Sequence, residues 1–450
     1  QKDLEHAETL TFPILAVLLI FIFGSLVAAA LPLAIGGTVI LGAFLVLRIT
    51  SDFADVSVFA INIITMLGLG LAIDYGLFVV SRFREELARG LDVQPAIIKT
   101  MQTAGRTVVF SGLTVAISLL SLLVFPQAFL KSMGWGGTAA VLVAMLAAVT
   151  ILPAILALLG HRINSVSVAP LFRRLLPRRN VVATAASERH GFWYNLSMLV
   201  MRRPGLFLVA TLVPLLIVGL PFLRVKLSVA DAKSLPATSE ARMVTERIDT
   251  EFPRSETVPI QPFATFNKPA TDPESISALY DYTRQIEKVP GVTGVSSMVN
   301  LDPRLNKEAY IQFYSPQGLA QNPQAQRALA SFSNENYSLV SVLYNADVTS
   351  DAAQNLVREI RKVDVPAGMS VIVGGWSAVT VDFLQSLGGA MPWAVLLIVG
   401  AIFVLLFLML GSVVVPLKAV ILNILSLSMT FGALVWIFQD GNLSNLLGFT

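Results

Sequence analysis

Apolar residues along this chain are grouped into long runs that short charged segments separate. A helix that spans a bilayer needs about 20 consecutive, mostly apolar residues. The last run is long enough for two spans and is interrupted at Gly411-Ser412 and Pro416. The pattern predicts about eight spans, at residues 11–30, 32–49, 57–81, 107–125, 133–159, 204–222 and, as a pair, within 389–437.

Basic residues give these spans an orientation, because loops on the cytoplasmic side carry an excess of Lys and Arg. Loops 82–106 and 160–203 are rich in arginine, whereas the links 50–56 and 126–132 contain Lys131 as their single basic residue. The predicted organisation is five spans in 1–160, a cytoplasmic basic loop in 161–203, one span in 204–224, an extracytoplasmic domain in 225–388 and two spans in 389–450.

The polar stretch 225–388 has the composition of a water-soluble α/β domain. Strand-like segments lie at 258–266, 292–299, 308–314, 337–344 and 369–373, and helix-like segments at 272–288, 321–332 and 351–363. Helices between strands, with strand pairs among them, suggest a split βαβ layer of the ferredoxin-like kind.

An internal repeat relates the two ends of the chain. Phe23-Gly24-Ser25-Leu26-Val27 is followed by Pro32-Leu33, and Leu410-Gly411-Ser412-Val413-Val414 is followed by Pro416-Leu417. A Pro-led apolar run precedes each copy, and each copy lies at a predicted turn between two spans. Both copies run from outside to inside, so the repeat is parallel, about an axis along the membrane normal.

Composition narrows the class of protein. Of 450 residues, 55% are hydrophobic and 14% charged, against about half and about a quarter in soluble domains. These values exclude an ordinary cytosolic enzyme, a disordered chain and a nucleic-acid-binding protein. The chain has no cysteine and three scattered histidines, so we expect no metal site and no cofactor.

The predicted span 57–81 contains one acidic residue, Asp74. A charge at the bilayer centre costs about 2.5–3.5 kcal/mol, and such residues usually face a partner or a water-filled path. We interpret Asp74 as a proton-relay carboxylate. A helix-packing carboxylate, or one near the inner interface, is the alternative. The next residue is Tyr75. Its phenol either donates a hydrogen bond to a carboxylate on an adjacent helix or serves as an interfacial aromatic anchor.

Small and hydroxyl residues surround this position in the sequence. Gly68, Gly70 and Gly76 allow neighbouring helices to approach closely. Ser111, Thr114 and Ser118, together with Ser121, fall on one face of the next predicted span. Their hydroxyls either line a proton path around Asp74 or serve helix packing.

The run from Ser81 to Leu87 leaves the membrane as a charged helix. It either caps the membrane interface with snorkelling arginines or acts as a coupling helix. The arginine cluster at 173–179 either contacts anionic lipid headgroups or serves only as a topology signal, which we favour.

The segment Gly68–Glu86, with its Gly-Leu-Gly-Leu-Ala-Ile-Asp-Tyr-Gly core, resembles the MmpL family of the resistance–nodulation–division superfamily. The segments 105–111, 125–132 and 410–419 are similar to further segments of that family. The likeness covers the whole chain and is weakest in 225–388.

The resemblance implies an α-helical membrane bundle with one α/β extracytoplasmic porter-like domain at 225–388. The family has twelve spans, and the spans of this chain correspond to the second to ninth. Asp74 and Tyr75 match the first of two relay pairs. The spacing in the first repeat places the second pair just beyond Thr450, so the chain is expected to be an incomplete transporter that does not transport alone.

The predicted function is export of lipids or other hydrophobic molecules from the bacterial cytoplasmic membrane, driven by proton influx rather than by enzymatic chemistry. The implied partners are the lipid bilayer, a lipid-like substrate, the remaining parts of the parent chain, and a second copy or a periplasmic accessory protein. The alternatives are a non-transporting sterol- or lipid-sensing module, based on the five spans before residue 160, and a protein-export accessory.

Overall fold

The computed structural model describes residues 2–53, 55–166, 192–226, 235, 238–251 and 258–444. The chain forms two compact units. The first consists of Gln1–Leu223 with Gly389–Ala433, and the second of Arg224–Gly388 with Leu434–Thr450. The predicted arginine cluster at 173–179 lies outside the described residues.

The first unit is built from long apolar helices. Short π-helical segments, Met101–Gly105 and Ala147–Ile151, each join two of these helices without a loop. The helices are α1 Lys2–Phe23, α2 Leu26–Thr50, α3 Val58–Ala88, α4 Val93–Thr100, α5 Arg106–Leu120, α6 Ala128–Leu146, α7 Leu152–Leu159, α8 Phe192–Arg202 and α9 Pro204–Gly219.

The second unit is an α/β domain. Its strands are β1 Gln261–Phe266, β2 Val292–Ser296, β3 Ser333–Asn334, β4 Tyr337–Leu339, β5 Ser341–Tyr344 and β6 Met369–Gly374. Its helices are α10 Glu240–Glu251, α11 Pro273–Ile286, α12 Lys307–Phe313, α13 Pro316–Gln321, α14 Pro323–Phe332 and α15 Asp351–Ile360.

The strands pair in the split βαβ arrangement predicted from the sequence. One antiparallel sheet has the order β3-β4-β1-β6, and β2 pairs with β5 in a second sheet. Only Val340 separates β4 from β5, and its N–H donates to the Pro262 carbonyl at 2.9 Å. A single bent strand therefore pairs with β1 along one half and with β2 along the other.

Residues 308–314 are predicted as a strand, but 308–313 belong to α12 and Tyr314 directly follows its last residue. The Asn306 side chain accepts a hydrogen bond from the Ala309 N–H and starts the helix, as an N-cap does. Tyr310 and Tyr314 then lie one turn apart and are buried in the core with Tyr282. Burial raises the pKa of Tyr282 to about 12. Aromatic residues favour strands, but here the capped turn and the shared buried face decide the structure.

Two long helices follow β6, α16 Trp376–Leu410 and α17 Val414–Leu434. Among the described residues, seven helical segments are long and apolar enough to cross a membrane. They are Leu26–Thr50, Val58–Ala88, Val93–Val124, Ala128–Asn164, Pro204–Arg224, Trp376–Leu410 and Val414–Gln439. The remaining predicted span corresponds to α1, whose apolar part is the shorter Pro13–Phe23. The chain is a multi-pass membrane protein built as an α-helical bundle, as predicted.

Several predicted span limits are wrong. The prediction separates the first two spans near Pro32, but the break lies at Gly24-Ser25 and Pro32 is inside α2. Gly24 adopts a φ of +63°, which ends a helix at little cost for glycine, and the Ser25 side chain caps α2. The predicted loop 82–106 is also mostly helical, because α3 runs to Ala88 and α4 begins at Val93.

Candidate functional site

The helix that carries Asp74 lies between α2 and α6. Its first turn is fixed by Ser57, whose side chain accepts a hydrogen bond from the Phe59 N–H. The Ser57 N–H in turn donates to the Ser132 hydroxyl of α6 at 2.9 Å. The position of Asp74 is therefore set by a helix that is anchored to its neighbour at the start and packed along its length.

Two of the three singled-out glycines lie where α3 meets its neighbours. A Cβ at Gly76 would come within 3.0 Å of the Pro32 Cβ and 3.1 Å of its Cα. A Cβ at Gly68 would lie 3.4 Å from Ala140 and Val39. By contrast, no described atom lies within 4 Å of a Cβ placed on Gly70. The predicted packing role of Gly70 is not met within the described residues.

Asp74 lies on the exposed face of α3, one turn after Gly70. No described residue forms a hydrogen bond or an ion pair with its carboxylate. Buried carboxylates in a structural role are normally paired or hydrogen-bonded. The geometry therefore leaves this carboxylate open to a proton or to a partner from outside the described residues.

Tyr75 points the other way and is buried, with 6% of its surface exposed. The Ser111 side chain of α5 is close enough to interact with its hydroxyl. The two hydroxyls nevertheless form no hydrogen bond of good geometry, and among the described residues the Tyr75 hydroxyl has no other partner. A buried hydroxyl without a partner is costly, so this group is poised to bond to a water or to a side chain that moves.

The predicted hydroxyl face of α5 is divided. Ser111 is exposed and lies beside Tyr75. The Thr114 hydroxyl donates to the Phe110 carbonyl at 2.8 Å, and the Ser118 hydroxyl donates to the Thr114 carbonyl at 2.8 Å. Because the Thr114 and Ser118 hydroxyl protons are used within the helix itself, Ser111 is the one of these three residues whose side chain lies beside Tyr75.

The charged end of α3, which the sequence predicts as an interfacial cap or a coupling helix, makes contacts that the sequence does not indicate. Arg82 and Arg89 form ion pairs with Glu86, which is 3% exposed. Arg84 has no acidic residue three or four positions away on the helix. Its Nη1 donates to the Phe23 carbonyl at 2.7 Å and its Nε to the Asn164 Oδ1 at 2.8 Å. That missing helical partner is the sequence signal that marks Arg84 as different from its neighbours.

No group of three or more His, Asp or Glu side chains that could hold a metal ion occurs in the described part of the chain. What the arrangement offers is one unpaired carboxylate, one buried phenol hydroxyl and one serine hydroxyl in a membrane-spanning helix bundle.

Comparisons with known proteins agree with this architecture. The model of the MMPL family matches residues 1–207 and 233–450. The trehalose monomycolate exporter MmpL3 of Mycobacterium tuberculosis strain H37Rv is 35% identical over 100% of this chain and 46% of its own length. Putative membrane protein SCO6666 of Streptomyces coelicolor is 37% identical over 100% of this chain and 55% of its own length.

A more distant relative is the mycolic acid-containing lipids exporter MmpL11 of Mycolicibacterium smegmatis, 30% identical over 99% of this chain and 43% of its own. Among solved structures, the hedgehog release protein Disp of the water bear Hypsibius dujardini matches with a TM-score of 0.62 at 15% identity. That match covers 94% of this chain and 56% of Disp, and it shows the fold alone. The chain spans about half the length of the curated relatives it matches.

Proposed function

This chain belongs to the MMPL family, and on that premise we propose that it is the proton-driven part of an exporter of lipid-like molecules. Asp74 accepts and releases the coupling proton. Tyr75 and Ser111 supply hydroxyls that bond to Asp74, or to a water beside it, in one of the two protonation states. The exporter resides in the cytoplasmic membrane, with residues 225–388 on the outer side.

The observation that supports this proposal most directly is the unpaired state of Asp74. A carboxylate in a membrane-spanning helix costs about 2.5–3.5 kcal/mol at the bilayer centre. The described residues supply no cation to offset that cost. Protonation removes the charge and therefore the cost, so the protonated and ionised forms favour different surroundings for α3. A group with this property can bias a two-state equilibrium.

The driving force is adequate for such a task. Each proton that crosses the membrane releases about 2.3 kcal/mol per 100 mV of membrane potential. If the two protonation states of Asp74 favour different arrangements of the spans, that energy can drive a directional cycle. No nucleotide is required, which fits a sequence without a P-loop motif.

The substrate class follows from the relatives and from the membrane context. Two of the relatives carry names that describe exporters of trehalose monomycolate and of mycolic acid-containing lipids. Because exposure of acyl chains to water is unfavourable, we propose that such a substrate enters the exporter from the bilayer. We propose the same class of substrate here, without a specific headgroup.

The test is Asp74→Asn in the native gene product that carries this sequence. The amide keeps the size of the side chain and removes the titration, so we expect lipid export to fall to background at normal expression. Export is measured as radiolabelled lipid that reaches the cell surface, with and without an uncoupler.

The matched control is Asp52→Asn, which makes the same chemical change in the exposed ion pair with Arg48. Exposed ion pairs contribute little, so this variant should export normally. Normal export by Asp74→Asn would contradict the relay role. Uncoupler-insensitive lipid binding without export would instead indicate a sensing module.

A further inference from the structure

The two helices of the candidate site each place an arginine against the carbonyl end of another membrane span. Arg84 lies on α3, ten residues after Asp74, and donates to the carbonyl of Phe23, the last residue of α1. Arg106 begins α5, which carries Ser111, and its Nη2 lies 3.4 Å from the Met409 carbonyl near the end of α16. The last carbonyls of a helix lack intrahelical donors and carry partial negative charge, so a cation stabilises both ends.

The two spans that receive these arginines are the two copies of the internal repeat. Gly24 follows α1 with a φ of +63°, and Gly411 follows α16 with a φ of +64°. In each copy of the repeat, an arginine from a helix of the site contacts the end of the first helix. Arg84 does so in the first copy and Arg106 in the second. Two independent contacts of this kind are a stronger indication than either contact alone.

Arg84 connects three segments rather than two. Besides the Phe23 carbonyl, it binds the Asn164 side chain at 2.8 Å. The Ser25 hydroxyl lies 2.9 Å from the Ile163 carbonyl, and the Leu26 N–H donates to the Val166 carbonyl at 3.2 Å. The end of α3, the Gly24-Ser25 turn and residues 163–166 therefore form one connected set of hydrogen bonds.

The path from Asp74 to Arg84 is a continuous α-helix. At a rise of about 1.5 Å per residue, the two residues are about 15 Å apart along α3. No break in α3 between Val58 and Ala88 could absorb a displacement. A cleft of about 430 Å³ beside Arg84, lined also by Ser81 and Asn164, leaves room for the guanidinium to change position.

We propose that Arg84 and Arg106 are positioning residues that couple proton entry at Asp74 to movement of the repeated spans α1 and α16. A shift of α3 or α5 on protonation is passed to the ends of these spans through the arginine contacts. This role rests on the proposed proton-driven export. Neither arginine takes part in proton transfer itself.

The experiment uses the native gene product in proteoliposomes with a pH-sensitive dye inside and a fluorescent long-chain acyl glycolipid as the probe. Proton entry and probe transfer are measured together under an imposed pH gradient. For Arg84→Gln and Arg106→Gln we expect proton entry to change by less than about twofold and probe transfer to fall by about tenfold or more, a size typical of coupling between sites. The number of protons per transferred probe molecule therefore rises.

Two further variants separate coupling from a general structural role. Arg84→Lys keeps a charged donor for the Phe23 carbonyl and should recover part of the transfer. Arg89→Gln removes an arginine whose ion pairs are with Glu85 and Glu86 on its own helix, and it should keep the wild-type ratio.

The proposal is overturned if Arg84→Gln and Arg106→Gln keep the wild-type ratio of protons to probe, whether both rates are normal or both fall together. If Arg84→Gln does not fold, Asn164→Ala removes the second hydrogen bond that holds the Arg84 guanidinium against the Phe23 carbonyl, and an unchanged ratio in that variant contradicts the proposal. If probe transfer by the wild-type protein does not depend on the pH gradient, the proposed function itself is contradicted. The wild-type measurement is made first, so this outcome is distinguished from a failure of the arginine proposal.

Discussion

The two copies of the internal repeat have the same backbone turn in different surroundings. In the first copy the Gly24 N–H donates to the Ile20 carbonyl at 2.8 Å, and in the second the Gly411 N–H donates to the Phe407 carbonyl at 2.8 Å. The two glycines have φ values that differ by about one degree. The two turns share the Gly-Ser pair and the left-handed glycine, although Pro-Leu follows at 32–33 in the first copy and at 416–417 in the second.

The difference lies in what surrounds each turn. Ser25 is 1% exposed and its hydroxyl bonds to neighbouring backbone. In the second copy, no described residue forms a hydrogen bond with the Ser412 side chain. Most of α16 and α17 is likewise exposed, although α17 closely approaches α9 where Gly432 meets Gly219. Local sequence specifies the turn, whereas the neighbouring helices determine how much the turn contributes to stability.

The largest effect is expected where the first copy packs on the helix of the site. Gly76→Val would force side-chain atoms into Pro32, whose Cα lies only 3.1 Å from the new Cβ and belongs to the backbone. Overpacking of this kind costs about 1–3 kcal/mol, and we expect the upper end because backbone cannot move aside. The thermal midpoint of the detergent-solubilised protein, followed by size-exclusion fluorescence, measures the loss.

The matched control for that variant is Gly70→Val on the same helix, where no described atom lies within 4 Å of the new Cβ. Its midpoint should stay near that of the wild type. Equal losses at both glycines would mean that helix packing does not distinguish these two positions.

The next effect compares the two serines directly. Ser25→Ala removes a buried hydroxyl whose acceptors include the Ile163 carbonyl at 2.9 Å. Leaving such groups without partners costs about 1–3 kcal/mol. Ser412→Ala removes a hydroxyl that forms no hydrogen bond with any described residue, so the thermal midpoint of this variant should hardly change. If the two substitutions destabilise equally, the second turn has a partner comparable to that of the first.

Sequence reasoning identified the repeat, the membrane bundle and the split βαβ pairing because each depends on local pattern. The wrong limits share one cause, which is that the apolar pattern does not reveal where a helix is capped. The apolar pattern predicts a boundary at Pro32, but Pro32 lies inside α2 and packs on Gly76. The aromatic and apolar residues of 308–314 predict a strand, but the Asn306 cap starts a helix there.

The candidate site was predictable only as far as residue types allowed. An acidic residue in an apolar span singled out Asp74, and its neighbour Tyr75 followed from the same motif. The division of the hydroxyl face was not predictable, since a serine in a helix can bond outward or to its own backbone. The contacts of Arg84 with Phe23 and Asn164 join positions 61 and 80 residues apart, and such long-range pairs leave no periodic signal.

The smallest effect tests whether the two turns are alike in the backbone itself. Gly24→Ala and Gly411→Ala each place a Cβ in the left-handed region, with no described atom within 4 Å of it. The cost is then purely conformational and about 1–2 kcal/mol at either position. We expect the two thermal midpoints to fall by the same amount, in contrast to the serine pair. A larger fall at Gly24 would contradict this expectation. It would mean that the first turn cannot relax the strain of the new Cβ without breaking its own hydrogen bonds.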